Sequence, residues 1–201
     1  MAGNTNTDGI QVRGGSTSNS VVWRDGIADF VVTQLPTLNA AGTLTIQDGV
    51  TVKFDHGTYM NVYGTLNAAG GASGILFTRR DPTDEWYGLW HWNGSHGSFQ
   101  DCTIEYGTYG TGNGIYANAA ASLSVQDCTI RNCDYGIYAS NTSPSFINCQ
   151  IINNGLYGIY LAGTCTPTFG SNLSQWNDVY GNGSGNSDRD LRNGTMDITA
   201  A

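Results

Sequence analysis

A three-residue phrase returns every 22 residues: Gly114-Ile115-Tyr116, Gly136-Ile137-Tyr138 and Gly158-Ile159-Tyr160. A second phrase keeps step with it, in Asp101-Cys102-Thr103-Ile104, Asp127-Cys128-Thr129-Ile130 and Asn148-Cys149-Gln150-Ile151. Three residues before each of these cysteines stands an apolar side chain: Phe99, Val125 or Phe146. Self-similarity at a fixed short period marks a stacked solenoid, because each copy buries its apolar side chains only against its neighbours. Such a chain displays columns of equivalent side chains rather than one enclosed pocket.

Within a copy, Leu123 and Val125, Cys128 and Ile130, and Ile137 and Ala139 are each two residues apart. Residues at that spacing share one face of a strand. Each unit of about 22 residues is therefore three short strands, separated by turns rich in Asn, Asp, Gly and Ser, residues that tolerate or stabilise tight backbone. No 3.6-residue apolar pattern runs between residues 41 and 180, which argues against helices. The reading is all-β: a right-handed, single-stranded parallel β-helix. An antiparallel sandwich would show hairpin turns without internal copies.

Stacking the copies predicts explicit columns. Phe99, Val125, Phe146 and Phe169 form one; Cys102, Cys128, Cys149 and Asn172 form the next. Ile104, Ile130 and Ile151 follow, interrupted at Ser174, and Ile115, Ile137, Ile159 and Val179 make a fourth. The first cysteine interval is 26 residues rather than 22, which places a loop insertion at 106–113. Earlier coils show as alternating runs at 42–46, 49–54, 62–66 and 74–78. The expected layout is an N-terminal segment or cap over 1–30, coils over 31–187, and a closing segment over 188–201 that is a cap or a cut coil.

The runs GTLTIQDGVTVKF, VYGTLNAAGG and DCTIEYG resemble the coils of bacterial secreted and surface proteins with right-handed β-helix repeats of the pectate-lyase-like kind. The resemblance spans about residues 30–198. It implies an extracellular or cell-surface location. It does not choose an activity, since this fold carries enzymes, adhesins and structural proteins alike.

Composition narrows the partners. Aspartates outnumber glutamates 14 to 2 and Lys53 is the only lysine, which favours turns over helix surfaces. The net charge of −8 offers no basic patch to displace phosphate counterions, so nucleic acid is not an expected partner. No run approaches the apolar length of a membrane span, and no membrane insertion is expected. The opening Met1-Ala2-Gly3-Asn4-Thr5-Asn6 lacks the apolar core of a signal peptide, so the chain is read as a mature segment restarted at Met1. The five cysteines match no zinc spacing; Cys102, Cys128 and Cys149 are expected to be buried free thiols. No cofactor and no metal site is expected.

The main candidate for function is an external aromatic ladder. In each Gly-Ile-Tyr the isoleucine points inward and the tyrosine outward, so Tyr116, Tyr138 and Tyr160 should form a row. Trp90 should extend it, and Tyr180 is a further candidate at its end. Tyr135 and Tyr157 form a shorter neighbouring row that Tyr87 could join. Aromatic rings on a rigid sheet suit neutral sugar rings, since they give large contact area at low entropy cost; tyrosines stacked on a sheet also simply stabilise that face. Trp90, Tyr116, Tyr138 and Tyr160 are therefore the candidate glycan-binding residues.

Other groups are weighed against plainer readings. Glu105 and Arg131 should meet on adjacent coils as a surface ion pair, while Asp101 and Asp127 stack at a turn. Together Asp101, Asp127 and Arg131 resemble the acid-and-base sets of pectate-lyase-type enzymes, although Asn148 breaks the acidic series. The segment Arg79 to Tyr87 is read as a protruding loop, with His91, His96 and Trp92 nearby as a potential acid, base and aromatic floor. His56 is read as a solvated turn residue. Asn186, Asp188 and Asp190 alternate like the start of a calcium loop but lack its later glycine and glutamate, and are read as a turn.

The leading expectation is a non-catalytic extracellular or cell-surface module, structural or adhesive. Its expected partner is a polysaccharide or cell-surface glycan, and a variant is end-to-end self-association into filaments through the end coils. The alternative is a polysaccharide-active lyase or glycoside hydrolase of the same fold.

Overall fold

The computed structural model describes residues 9–26, 28–170 and 176–183, and the backbone alone of 191–193. The chain winds as a parallel β-solenoid with three sheets and no helix among the described residues. The first sheet holds eight strands: Ile10–Val12, Phe30–Val32, Thr51–Phe54, Ile75–Arg79, Cys102–Glu105, Thr129–Arg131, Gln150–Ile152 and Asp178–Tyr180. The second also holds eight: Gly15–Thr17, Pro36–Leu38, Tyr59–Val62, Gly88–His91, Asn113–Asn118, Tyr135–Ser140, Tyr157–Ala162 and Leu191–Asn193. The third holds seven: Ser20–Trp23, Thr43–Gln47, Thr65–Ala69, His96–Gln100, Ser122–Gln126, Ser145–Ile147 and Thr168–Phe169. Each of the first seven coils gives one strand to each sheet, the described part of the last gives one to the first and one to the second, and every pairing is with the coil before or after. The first described strand starts at Ile10, and the strands at 10–23 pair in register with the next coil.

The core follows the anticipated columns. Phe99, Val125, Phe146 and Phe169 stack in register. Ile104, Ile130 and Ile151 continue a file that starts at Phe30, Val52 and Phe77. Ile115, Ile137 and Ile159 form another. These isoleucines are fully buried, each stabilising the coil by about 1.5–3 kcal/mol of apolar transfer. All five cysteines are free and buried.

The turns explain why Asn and Asp are so frequent. At one corner Asp101, Asp127 and Asn148 adopt φ of 49, 52 and 51°; at the next, Tyr106, Asn132 and Asn153 adopt 63, 55 and 55°. Left-handed backbone repeated coil after coil favours Asn, Asp and Gly over other residues. Buried backbone amides at these corners are satisfied across coils. Asn154 Oδ1 accepts from the Cys133 amide at 3.0 Å, and Asn182 Oδ1 accepts from the Asn154 amide at 2.9 Å.

Several expectations need correction. Asn172 was expected to follow Cys149; instead Asn177 fills that place, its Oδ1 accepting from the Cys149 amide at 2.9 Å. The step from 149 to 177 is 28 residues, so an insertion shifts the last register. Val179 consequently pairs with Ile151, not with Ile159, whose register partner is Leu191. The run 62–66 is two strands, broken at Tyr63 and Gly64. Asn172, Ser174, Asn186, Asp188 and Asp190 lie outside the described residues, as does most of 188–201.

Candidate functional site

The three sheets differ in chemistry. Among the described side chains in strands, every Lys, Arg, Asp and Glu belongs to the first sheet: Lys53, Arg79, Glu105, Arg131 and Asp178. Among the described side chains the strands of the other two sheets carry none. The second sheet carries the outward row of tyrosines and tryptophan.

Trp90, Tyr116, Tyr138 and Tyr160 occupy successive positions in register. Ring centroids step by 5.1, 5.3 and 4.9 Å along the row, with interplanar angles of 37, 23 and 16°. Gly114 and Gly136 let adjacent coils close up: a Cβ would lie 2.6 Å from the Gly136 carbonyl oxygen in the first and 2.5 Å from that of Gly158 in the second. That approach holds the tyrosines at one strand spacing, and their faces cover one another. What the row turns outward is ring edges and hydroxyls, rather than the open faces expected from spacing alone. Burial, and then the phenols of Tyr160, Tyr116 and Tyr135, raise the Tyr138 phenol above its ordinary 10.0.

Tyr135 and Tyr157 stack at 5.6 Å as a second row, meeting the first edge-on through Tyr135 and Tyr138. At the register position of Tyr135 in the preceding coil stands Asn113, whose amide donates to the Tyr87 carbonyl. Tyr87 packs edge-on against Tyr59, Trp90 and Tyr109. The face is wider than the sequence suggested. Tyr59 packs on Trp90 at 4.7 Å, Trp92 meets both Trp90 and Tyr116, and Tyr63 stacks on Trp92 at 6.1 Å. Trp92 is held by its indole N–H donating to Asn61 Oδ1 at 2.9 Å. Tyr59 was legible by alternation, since Met60 and Val62 point inward beside it; Tyr63 and Tyr109 lie in turns where no alternation applies. Tyr180 does not join the row. It pairs with Ile152 in the first sheet.

The charged candidates are committed to one another. Arg131 Nη2 lies 2.9 Å from Glu105 Oε2, and Thr78 Oγ1 donates to Glu105 Oε1 at 3.0 Å. Glu105 is only 8% exposed, so this is a part-buried pair rather than the surface pair expected. Both Asp127 oxygens are occupied, by Asn148 Nδ2 at 2.7 Å and Gln126 Nε2 at 2.9 Å. Arg131 lies at the far end of its strand from Asp127, so the lyase-like set is not brought together. The segment at 79–87 is no free loop at its end: Trp86 is fully buried, stacks on Phe54 at 4.0 Å, and donates to the Glu105 carbonyl. His91 is buried in the core and cannot serve as a surface acid or base. His96 is exposed and bonds Ser122. His56 is not alone, since Tyr109 packs edge-on against it at 4.6 Å. Among the described residues no three His, Cys, Asp or Glu side chains gather where they could hold a metal ion.

No curated protein and no solved structure matches the chain. The family model of the right handed beta helix region matches residues 3–174, and with this repeat and this winding the chain belongs to that family.

Proposed function

We propose that the protein is a non-catalytic extracellular or cell-surface β-helix module that binds neutral glycan along the aromatic face of its second sheet. The observation that carries this is the uncharged, half-exposed belt that runs from Tyr59 to Tyr160 across consecutive coils. Its main row repeats once per strand spacing, a step close to the length of one sugar unit. An extended neutral polysaccharide laid along the solenoid axis would meet ring rims in van der Waals contact and phenol hydroxyls that exchange hydrogen bonds with its own hydroxyls. The commitment of Arg131 to Glu105, and of Asp127 to Asn148 and Gln126, supports a binding role over lyase chemistry. The extracellular setting follows the resemblance of the coils to bacterial secreted and surface proteins.

The test is binding to a panel of insoluble and soluble neutral polysaccharides, with reducing-end and unsaturated-product assays run on the same samples. Binding without product formation supports the reading, and Tyr138→Ala should weaken it about tenfold. Product formation would replace it with the enzyme reading.

End-to-end self-association is a second reading. It is favoured by the first described coils, where Val12, Val21, Trp23, Leu38, Leu44 and Met60 line a cleft of about 320 Å³ and Ile10 and Val22 stand exposed. Light scattering across a concentration series tests it: a mass that stays monomeric removes it.

A further inference from the structure

The strand Gly88–His91 sends Trp90 outward to the aromatic face and His91 inward. His91 sits in register between Val62 and Ala117 and is fully buried. The third sheet makes room for it: Gly97 holds the place taken by Leu66 and Leu123 in the adjacent coils. A Cβ on Gly97 would lie 2.7 Å from His91 Cε1, so the imidazole fills the volume a leucine would occupy there. The ring meets the edge of Phe99 at 5.8 Å, and Nδ1 is 3.5 Å from the hydroxyl of Ser95, itself fully buried. Nε2 has no hydrogen-bond partner.

The inward side chains of the strands around it are Val62, Leu66, Phe99, Ala117 and Leu123, and none can ionise. The titratable groups nearest along the chain lie outside: Glu85 is exposed, Tyr87 packs on Tyr59, Trp90 and Tyr109, and His96 bonds Ser122. A proton on His91 would therefore be an unpaired charge in an apolar core. Desolvation alone lowers its pKa to about 3.

We propose that His91 is an acid-operated latch on the aromatic face: proton uptake expels the imidazole from the core and loosens the strand that presents Trp90 and leads into Trp92. The functional meaning of the latch rests on the reading of that face as a binding surface; the latch itself does not. The closed coil holds His91 neutral, whereas an opened coil exposes an ordinary imidazole titrating near 6.5. The folded value is depressed, so the closed state is fully favoured above the open-state value and loses ground as pH falls toward the closed-state value. Between pH 7 and pH 4 the opening equilibrium should rise about 200-fold.

Hydrogen exchange on the whole, ligand-free chain reads this directly. After correction for intrinsic rates, amides of Gly88–His91 and its partners Tyr59–Val62 and Asn113–Asn118 should lose about 200-fold protection at pH 4 relative to pH 7. The strand Tyr157–Ala162 should lose far less. His91→Leu and His91→Val, which match the aliphatic residues of the column, should abolish the extra loss. Equal protection at both pH values, the same acid loss in a variant, or uniform loss across all coils would each overturn the latch; the last comparison needs only the wild type and decides even if neither variant folds. Glycan binding at pH 7 is scored separately: its absence strikes the binding reading and leaves the exchange result standing.

Discussion

The sharpest test of the architecture is Gly136→Ala, a single added methyl in the repeated Gly-Ile-Tyr. A Cβ there would lie 2.5 Å from the Gly158 carbonyl oxygen, 2.7 Å from Ile151 Cγ2 and 2.8 Å from Asn154 Nδ2. None of the three has room to yield. The carbonyl is backbone of the next coil, Ile151 is fully buried, and the Asn154 amide is fixed by bonds to the Ile130 carbonyl at 3.3 Å and Asn182 Oδ1 at 2.8 Å. Ordinary contact would require the two coils to part by nearly an ångström along the hydrogen-bonding direction, which lengthens their ladder. Overpacking of this kind costs about 1–3 kcal/mol and occasionally more; three contacts at once, one of them with backbone, put the expectation near 3 kcal/mol. For a domain of this size that lowers Tm by about 6–12 °C.

Near-UV circular dichroism during thermal unfolding gives the midpoint, with Gly155→Ala as the control. A Cβ on Gly155 meets nothing closer than 3.5 Å, so that variant should stay within about 0.5 kcal/mol of wild type. If Gly136→Ala melts with the wild type, the glycine is not there for close approach, and the explanation of the tyrosine spacing fails with it.

Further outcomes follow from the same geometry. Ile130→Asp places an unpaired carboxylate at a site with no exposure and should cost several kcal/mol, seen as loss of the cooperative melt; an unchanged melt would refute the inward register. Glu105→Ala leaves the Thr78 hydroxyl without its acceptor and Arg131 without its partner, costing about 1–3 kcal/mol in urea unfolding, whereas Thr103→Ala on the same strand should be near neutral. In a spectrophotometric titration, the difference between wild type and Tyr138→Phe should show a phenol ionising above the ordinary value, because burial and its stacked neighbours oppose the phenolate; a midpoint at or below the ordinary value would contradict the stacking.

The copied coils made most of the fold legible. Where Cys-x-Ile and Gly-Ile-Tyr recur, alternation assigns each side chain to a face, and the columns from Phe99 to Phe169 follow without knowledge of the backbone. That logic stops where the copies stop. Nothing in the residues after Cys149 announces a 28-residue step, so Asn177 and Val179 could not be placed by counting 22. The inward place of His91 was available, since Leu89 two residues earlier is an obvious core residue. Its polarity drew it instead toward a surface role. Only the vacancy opposite, at Gly97 between two leucine positions, shows that the core was shaped to take an imidazole. Spacing allowed the tyrosines to stack along the sheet, but how far their faces cover one another is decided by side-chain torsions, which spacing does not fix.

The separation of chemistry by sheet bears directly on what the protein can touch. A solenoid filled by its own side chains offers its sheet faces as the extended surfaces for a ligand, where water competes for every polar contact and a single bond gains little. Charge would not help with a neutral partner, and among the described strand side chains the charges lie in the first sheet, where Glu105 and Arg131 neutralise one another. The third sheet offers a file of small uncharged groups, Thr45, Asn67, Ser98, Ser124 and Ser145, which exchange one hydrogen bond for another with little net gain. The second sheet alone joins apolar area to hydroxyls at a fixed repeat. Its rings are already stacked on one another and so lose little further freedom when a ligand arrives. A partner that repeats at the same step can add one small contact per coil, and the rigidity of the row lets those contacts be made together.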